Sequence, residues 1–232
     1  GLEAIQKRGR KTLDSEAQLV EYDADIEAFE QQVRKSLPEE RERQGKLALL
    51  RSQLRAKGGS IPEKVAVLEK IHSINPENRQ ILVDLALYNA AQEAWPQALK
   101  YIGTFAEGGG RPYGERMSLE LLKAGILHYQ GNDVEAQAGL EAFLRMTRDP
   151  WYQTICEYLL GKQTEDFLKN QAGGSPENLI TVSTALGFWS EGSGEKDKAI
   201  KYYNEALGTF LDTWREYDFA KARLKRLKTP SR

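Results

Sequence analysis

The chain has little of what most chemical functions require. One cysteine among 232 residues excludes an intramolecular disulfide framework, and two histidines leave little material for metal cages or acid–base pairs. Lys plus Arg number 33 against 34 Asp plus Glu, a formal net charge of −1, so no bulk charge calls for nucleic acid or a membrane surface. No stretch approaches the roughly 18 uninterrupted apolar residues of a membrane span, and no apolar leader opens the chain. The first residue is Gly1 and not Met, so a signal peptide or anchor upstream stays open, and the missing leader says little about compartment. Alternating Val/Ile/Thr runs with hairpin turns are also missing, which excludes a substantial sheet.

What is present is helical periodicity in a chain 40% apolar and 29% charged, with mean hydropathy −0.59. Leu19, Tyr22, Ile26, Phe29 and Val33 follow a 3-4-3-4 spacing, the stripe of one long amphipathic helix. That helix is expected to stop at Ser36-Leu37-Pro38-Glu39, with Ser36 capping the next, which gives an N-terminal segment over 1–37 and a repeat domain over 38–232. A second helix through Leu47, Leu50 and Leu54 should end at Gly58-Gly59. Ser60-Ile61-Pro62-Glu63 repeats the same cap and opens a third, with Val65, Leu68 and Ile71 inward and its end at Asn75-Pro76.

From Asn75 helix pairs of about 34 residues can be superposed. The anchors are small residues early in each second helix, Ala98, Ala136 and Ala199, which permit close approach of the paired helices. Each is preceded by a turn: Gln92-Glu93-Ala94-Trp95, Gln130-Gly131-Asn132-Asp133 and Gly192-Ser193-Gly194-Glu195. Four positions after the alanine come Ile102, Leu140 and Tyr203, and seven after it Phe105, Phe143 and Ala206. The first helices carry Leu85-Ala86, Lys123-Ala124-Gly125, where Lys123 replaces the expected apolar residue, and Leu186-Gly187. Ala98 to Ala136 spans one repeat plus the loop Gly108-Gly109-Gly110-Arg111-Pro112. Ala136 to Ala199 is close to two repeats, so an irregular pair is predicted at 150–160, starting with Pro150, and 164–171, capped by Thr164. Trp214, Tyr217, Ala220, Leu224 and Leu227 mark a terminal helix that covers the last open face.

These residues resemble the tetratricopeptide repeat, best at Leu186-Gly187, Gly194 and Ala199-Ile200-Lys201-Tyr202-Tyr203-Asn204-Glu205-Ala206-Leu207, over about residues 39–210. The resemblance implies an all-α, right-handed solenoid of helix hairpins with a long N-terminal helix and a C-terminal capping helix. Asp149-Pro150-Trp151 with Tyr158-Leu159-Leu160-Gly161 is also similar to tetratricopeptide lipoproteins of the bacterial envelope, which implies a bacterial origin, cytoplasmic or periplasmic.

Chemistry-bearing residues are sparse. His72 and His128 lack a second His or Cys at ligand spacing, and Cys156 lies among Ile155, Tyr158 and Leu159 without a partner, so packing is the simpler reading of all three. The triglycine loop lacks the phosphate-binding pattern. The basic clusters Lys7, Arg8, Arg10, Lys11 and Lys221, Arg223, Lys225, Arg226, Lys228 read as solvated faces, and Asp14 to Glu30 as the wet side of the first helix. Trp95, Trp151, Trp189 and Trp214 fall at repeat landmarks and read as packing. No cofactor, metal site or catalytic group is expected.

The repeat resemblance implies a concave groove lined by the first helix of each pair. Carried onto this chain, its positions are Gln80, Val83, Leu87, Ala90 and Ala91, then Ser118, Leu121, Gly125, His128 and Tyr129, then Thr181, Thr184, Phe188 and Glu191. Val83 and Leu87 stand where a carboxylate clamp would need Lys and Asn. The expectation is a non-enzymatic adaptor holding the apolar segment of a protein or peptide in this groove. The alternatives are a structural protein that dimerises through the Leu19–Val33 stripe, an accessory subunit of an envelope enzyme complex, and an enzyme with an unrecognised site.

Overall fold

The computed structural model describes residues 16–55, 59–108 and 113–229, all helices and turns without a strand among them. The chain divides into two compact units, Gly1–Ser52 and Gln53–Arg232. In the first, the described residues belong to α1 (Glu16–Arg55). This helix runs through Pro38, where a break and a new cap at Ser36 were expected. Proline removes one ladder hydrogen bond, and the Glu-, Arg-, Gln- and Leu-rich sequence that follows has the propensity to continue. The division between the two units falls after Ser52, within this helix. Of the amphipathic stripe, Phe29 is exposed, and the side chains of Leu19, Tyr22, Ile26 and Val33 lie outside the described ones. The Lys7–Lys11 cluster and most of the triglycine loop also lie outside the described residues.

The second unit contains α2 (Ile61–Ile74), α3 (Gln80–Ala91), α4 (Trp95–Glu107), α5 (Tyr113–Tyr129), α6 (Asp133–Met146), α7 (Pro150–Leu159), α8 (Glu165–Ala172), α9 (Pro176–Gly192), α10 (Lys196–Leu207) and α11 (Arg215–Lys228). The starts follow from local chemistry. Ser60 and Glu63 form a reciprocal capping box, Asp149 accepts from the Trp151 and Tyr152 amides, Thr164 accepts from Phe167, and Ser175 accepts from Asn178. Prolines 62, 96, 150 and 176 occupy first turns, where no intrahelical N–H bond is lost. Val65, Leu68 and Ile71 are buried as their spacing predicts.

The three anchor alanines are fully buried. Five residues before each, the chain takes a left-handed conformation, at Glu93 (φ 64°), Gly131 (φ 77°) and Gly194 (φ 73°). In each turn the next amide donates back to a carbonyl near the end of the preceding helix: Ala94 to Asn89, Asn132 to Leu127 and Glu195 to Ser190, at 2.8–2.9 Å. One turn geometry thus recurs three times. Helices approach tightly where glycine stands: a Cβ on Gly187 would lie 2.7 Å from the Tyr203 ring within the α9–α10 pair, and one on Gly125 of α5 2.7 Å from Phe188 of α9.

Two apolar clusters organise this unit. One joins α3, α4, α5, α9, α10 and α11; the other joins α5 to α10. α5, α9 and α10 belong to both. α3 packs on α5, α5 on α9, α9 on α11, and α11 returns to α3. The terminal helix was expected to cover the last open face. It reaches the first helix of the first pair, completing a circuit of four helices, because Phe219, Ala220 and Leu224 are buried in the same cluster as Val83 and Ala90.

Replacing Gly187 by Ala should lower the urea-unfolding free energy by about 1–3 kcal/mol through this overpacking. Gly139→Ala, on the open face of α6 with nothing near its Cβ, should raise it by about 0.5–1 kcal/mol. Equal effects at the two positions would refute the close α9–α10 approach.

Candidate functional site

α11 packs on α3 and α9, with Arg215 in its first turn beside Asp84 of α3 and Arg223 near its end beside Glu93 and Glu191. At one end, helices α3, α5 and α9 terminate together around the Arg223 guanidinium, which has no solvent exposure. Its Nε donates to Glu191 at 3.0 Å and its Nη2 to the other oxygen of the same carboxylate. Nη1 donates to Glu93 at 3.0 Å and to the Ala91 carbonyl at 3.4 Å. The phenols of Tyr129 and Tyr203 donate to Glu93 and Glu191, each at 2.9 Å, and Arg226 also pairs with Glu93. The guanidinium lies over the rings of Tyr129, Trp95 and Phe188 at 5.3–5.9 Å. Burial opposes its charge, but Glu191 more than compensates and holds Arg223 above the usual arginine range. Arg223 and Arg226 were expected to lie on a solvated basic face. Arg226 does so while bonding Glu93; Arg223 does not, because it falls on the same face of α11 as Ala220 and Leu224.

At the other end, the first turn of α11 faces a cleft of about 60 Å³. Seven of the expected groove residues line it: Leu87, Ser118, Leu121, Gly125, Thr181, Thr184 and Phe188, joined by Leu122, Leu159, Ala185 and Trp189 and by Glu216 and Phe219 from α11. Val83, Ala90 and Ala91 are instead buried in the core, and Gln80, His128, Tyr129 and Glu191 lie outside the cleft. Phe188 is only 4% exposed, packed on Trp95, Tyr129 and Phe219, so it is a floor and not an open contact surface. Thr184 Oγ1 is buried there without a hydrogen-bond partner. Ser118 shares a 3.2 Å bond with Tyr152 and donates to the Gly114 carbonyl.

Charges cluster around the start of α11. Arg215 pairs with Asp84 at 3.0 Å and, with the Gln80 amide oxygen turned toward it, with Gln80, whose nitrogen then reaches Glu115. Glu216 stays 4.0 Å from Arg215. Lys64 pairs with Asp218, which also accepts from Tyr88 at 2.8 Å. Burial, stronger than the attraction of Arg215, raises Asp84 from the usual 3.8 to about 6, with the charge of Glu216 adding to the rise. Glu216 is raised for the same first reason.

His128 has a third role. Its Nδ1 meets Asp133 at 2.5 Å and its Nε2 meets Ser193 Oγ at 2.8 Å. The ring stacks on Trp189 with centroids 4.0 Å apart, and a Cβ on Gly192 would lie 2.8 Å from it. The connectivity is that of an acid–base–hydroxyl triad. However, the amides of Gly194, Glu195 and Lys196 after Ser193 are all bonded to backbone carbonyls, so none of these three is free to hold an oxyanion, and Ser193 itself donates to the Trp189 carbonyl. The cluster works as a strut between the α5–α6 turn and the end of α9. Cys156 is fully buried, its thiol pushed up to about 12 by desolvation, which makes it a poor nucleophile. Among the described residues no group of three or more His, Cys, Asp or Glu is placed to hold a metal ion, and no helix is long and apolar enough to cross a membrane.

No protein-family model matches the chain, and no curated protein matches its sequence.

Asp84 gives a pH signature. A carboxyl whose folded pKa exceeds its unfolded value binds more protons when folded, so its contribution to stability falls as pH rises from about 4 to 6. In urea titrations at pH 4 and pH 7, Asp84→Asn should gain roughly 1–3 kcal/mol on wild type over that interval. A loss over the same interval would mean that the pairing with Arg215 outweighs desolvation.

Proposed function

We propose that the chain is a non-enzymatic protein-interaction module, an adaptor whose concave helices hold a partner segment. This reading takes α3–α4, α5–α6 and α9–α10 as units of a tetratricopeptide-like, right-handed array. The turn repeated at Glu93, Gly131 and Gly194 supports that register. The observation that carries the function is that the concave helices already grip an amphipathic helix of their own chain, α11, and leave an apolar cleft beside its first turn. Surfaces built to bury one helical face suit the anchoring side chains of another segment. Much of the groove is thereby used internally, so the partner engages the portion bounded by α5, α9 and the start of α11. The alternative of self-association through α1 draws on Phe29, 55% exposed on that helix.

Thr181, half-buried at the cleft, and Val134, 84% exposed on α6, allow a direct comparison. A photo-crosslinking amino acid at position 181 should give a discrete covalent protein adduct in cells, and the same group at 134 should not. No adduct, or the same adducts from both positions, would count against the groove.

A further inference from the structure

Because α1 runs unbroken through Pro38, the Leu19–Val33 stripe continues in the same 3-4 register through Ser36, Glu40 and Arg43 to Leu47, Leu50 and Leu54. As two helices, neither half would reach the three or four heptads of a coiled coil; as one helix, the seam from 19 to 54 spans five. Leu47 is buried and Leu50 and Leu54 are half-buried, which marks the seam as a packing face at that end. Nearer the start of the helix Phe29 is 55% exposed on the same seam, and Leu37 beside it 48%.

Charge is divided along the same helix. Residues 16–33 hold six Asp and Glu and no Lys or Arg, whereas residues 34–46 hold five Lys and Arg against three Glu, a net +2. Two paired helices lie about 8–10 Å apart, within a screening length of similar size, so the charges of one copy act on those of the other. A parallel pair lays six acids on six acids. An antiparallel pair lays the acidic stretch of each copy on the basic stretch of the other, and the apolar seam still meets itself at its centre. We infer that α1 pairs with α1 of a second copy of this chain, antiparallel, with the dyad near Phe29. The inference goes beyond the groove reading and does not depend on it, so the failure of either leaves the other standing.

The test uses the full chain with one added cysteine, Ala17→Cys or Gly45→Cys, labelled with a donor or an acceptor dye. Both positions stand opposite the seam in the heptad register, and nothing lies near a Cβ on Gly45. The native Cys156 is fully buried, its thiol pushed up to about 12, and takes no label. In an antiparallel pair, two labels at 17 lie about 30 Å further apart along the axis than one at 17 and one at 45. Mixtures of 17-donor with 45-acceptor chains should therefore show strong energy transfer, and 17-donor with 17-acceptor mixtures weak transfer. Arg34→Glu combined with Lys35→Glu should weaken association at least about tenfold, and adding Glu21→Lys with Glu27→Lys should restore it. Strong transfer between two labels at 17, no transfer in either mixture, or association unchanged by the Arg34 and Lys35 substitutions overturns the antiparallel pair.

Discussion

Arg223 puts a permanent positive charge where three helices end. Helix C-termini carry partial negative charge and unpaired carbonyls, and packing three of them side by side without a cation would concentrate both. The guanidinium resolves this by bonding Glu191 at the end of α9, Glu93 in the turn after α3 and the Ala91 carbonyl, while Tyr129 at the end of α5 joins through Glu93. Glu93 also sustains a left-handed conformation that the corresponding turns assign to glycine, a local strain the surrounding bonds can hold. Buried ion pairs lose in desolvation much of what they gain in attraction. The driving force for docking α11 therefore comes from burying Phe219 and Leu224, about 1.5–3 kcal/mol for each large apolar side chain. In this account the ionic network fixes where along the groove the helix sits.

That placement determines the candidate site. With Arg223 anchored at the α3 and α9 C-termini, the start of α11 is held beside Asp84, Thr181 and Thr184, and Phe219 closes the floor against Phe188. A helix shifted by one turn would lift Glu216 out of the cleft. His128 adds a second tie by fastening Asp133 to Ser193, with Gly192 leaving room for the ring. The seating of α11 and the lining of the cleft are consequences of the same few contacts.

The helical pattern was largely legible in the sequence because local signals agree with one another. Ser60 with Glu63, Thr164, Pro150 and the alanines at 98, 136 and 199 each act over a few residues and mark elements that the structure contains. Pro38 misled because a proline in a strongly helix-forming stretch forfeits one hydrogen bond without ending the helix. Seven of the expected groove positions border one cleft, but what covers them depends on contacts more than 100 residues apart, such as Arg223 with Glu93. Arg223 was hidden among exposed Lys and Arg; its sequence signal is that it shares a helix face with Ala220, Leu224 and Leu227, where a solvated charge does not belong. Glu216 carried no local signal, since an acid in the first turn of a helix is ordinary.

The central claim is that one buried guanidinium registers the terminal helix on α3 and α9. Arg223→Met keeps an unbranched apolar stem and removes the charge, leaving Glu191 and Glu93 without it. Amide hydrogen exchange on this variant, compared helix by helix with wild type, tests the claim most directly. The account predicts that α11 loses protection selectively, with α10 affected less, as global stability drops by about 3–5 kcal/mol. Unchanged protection of α11 in the methionine variant would contradict it.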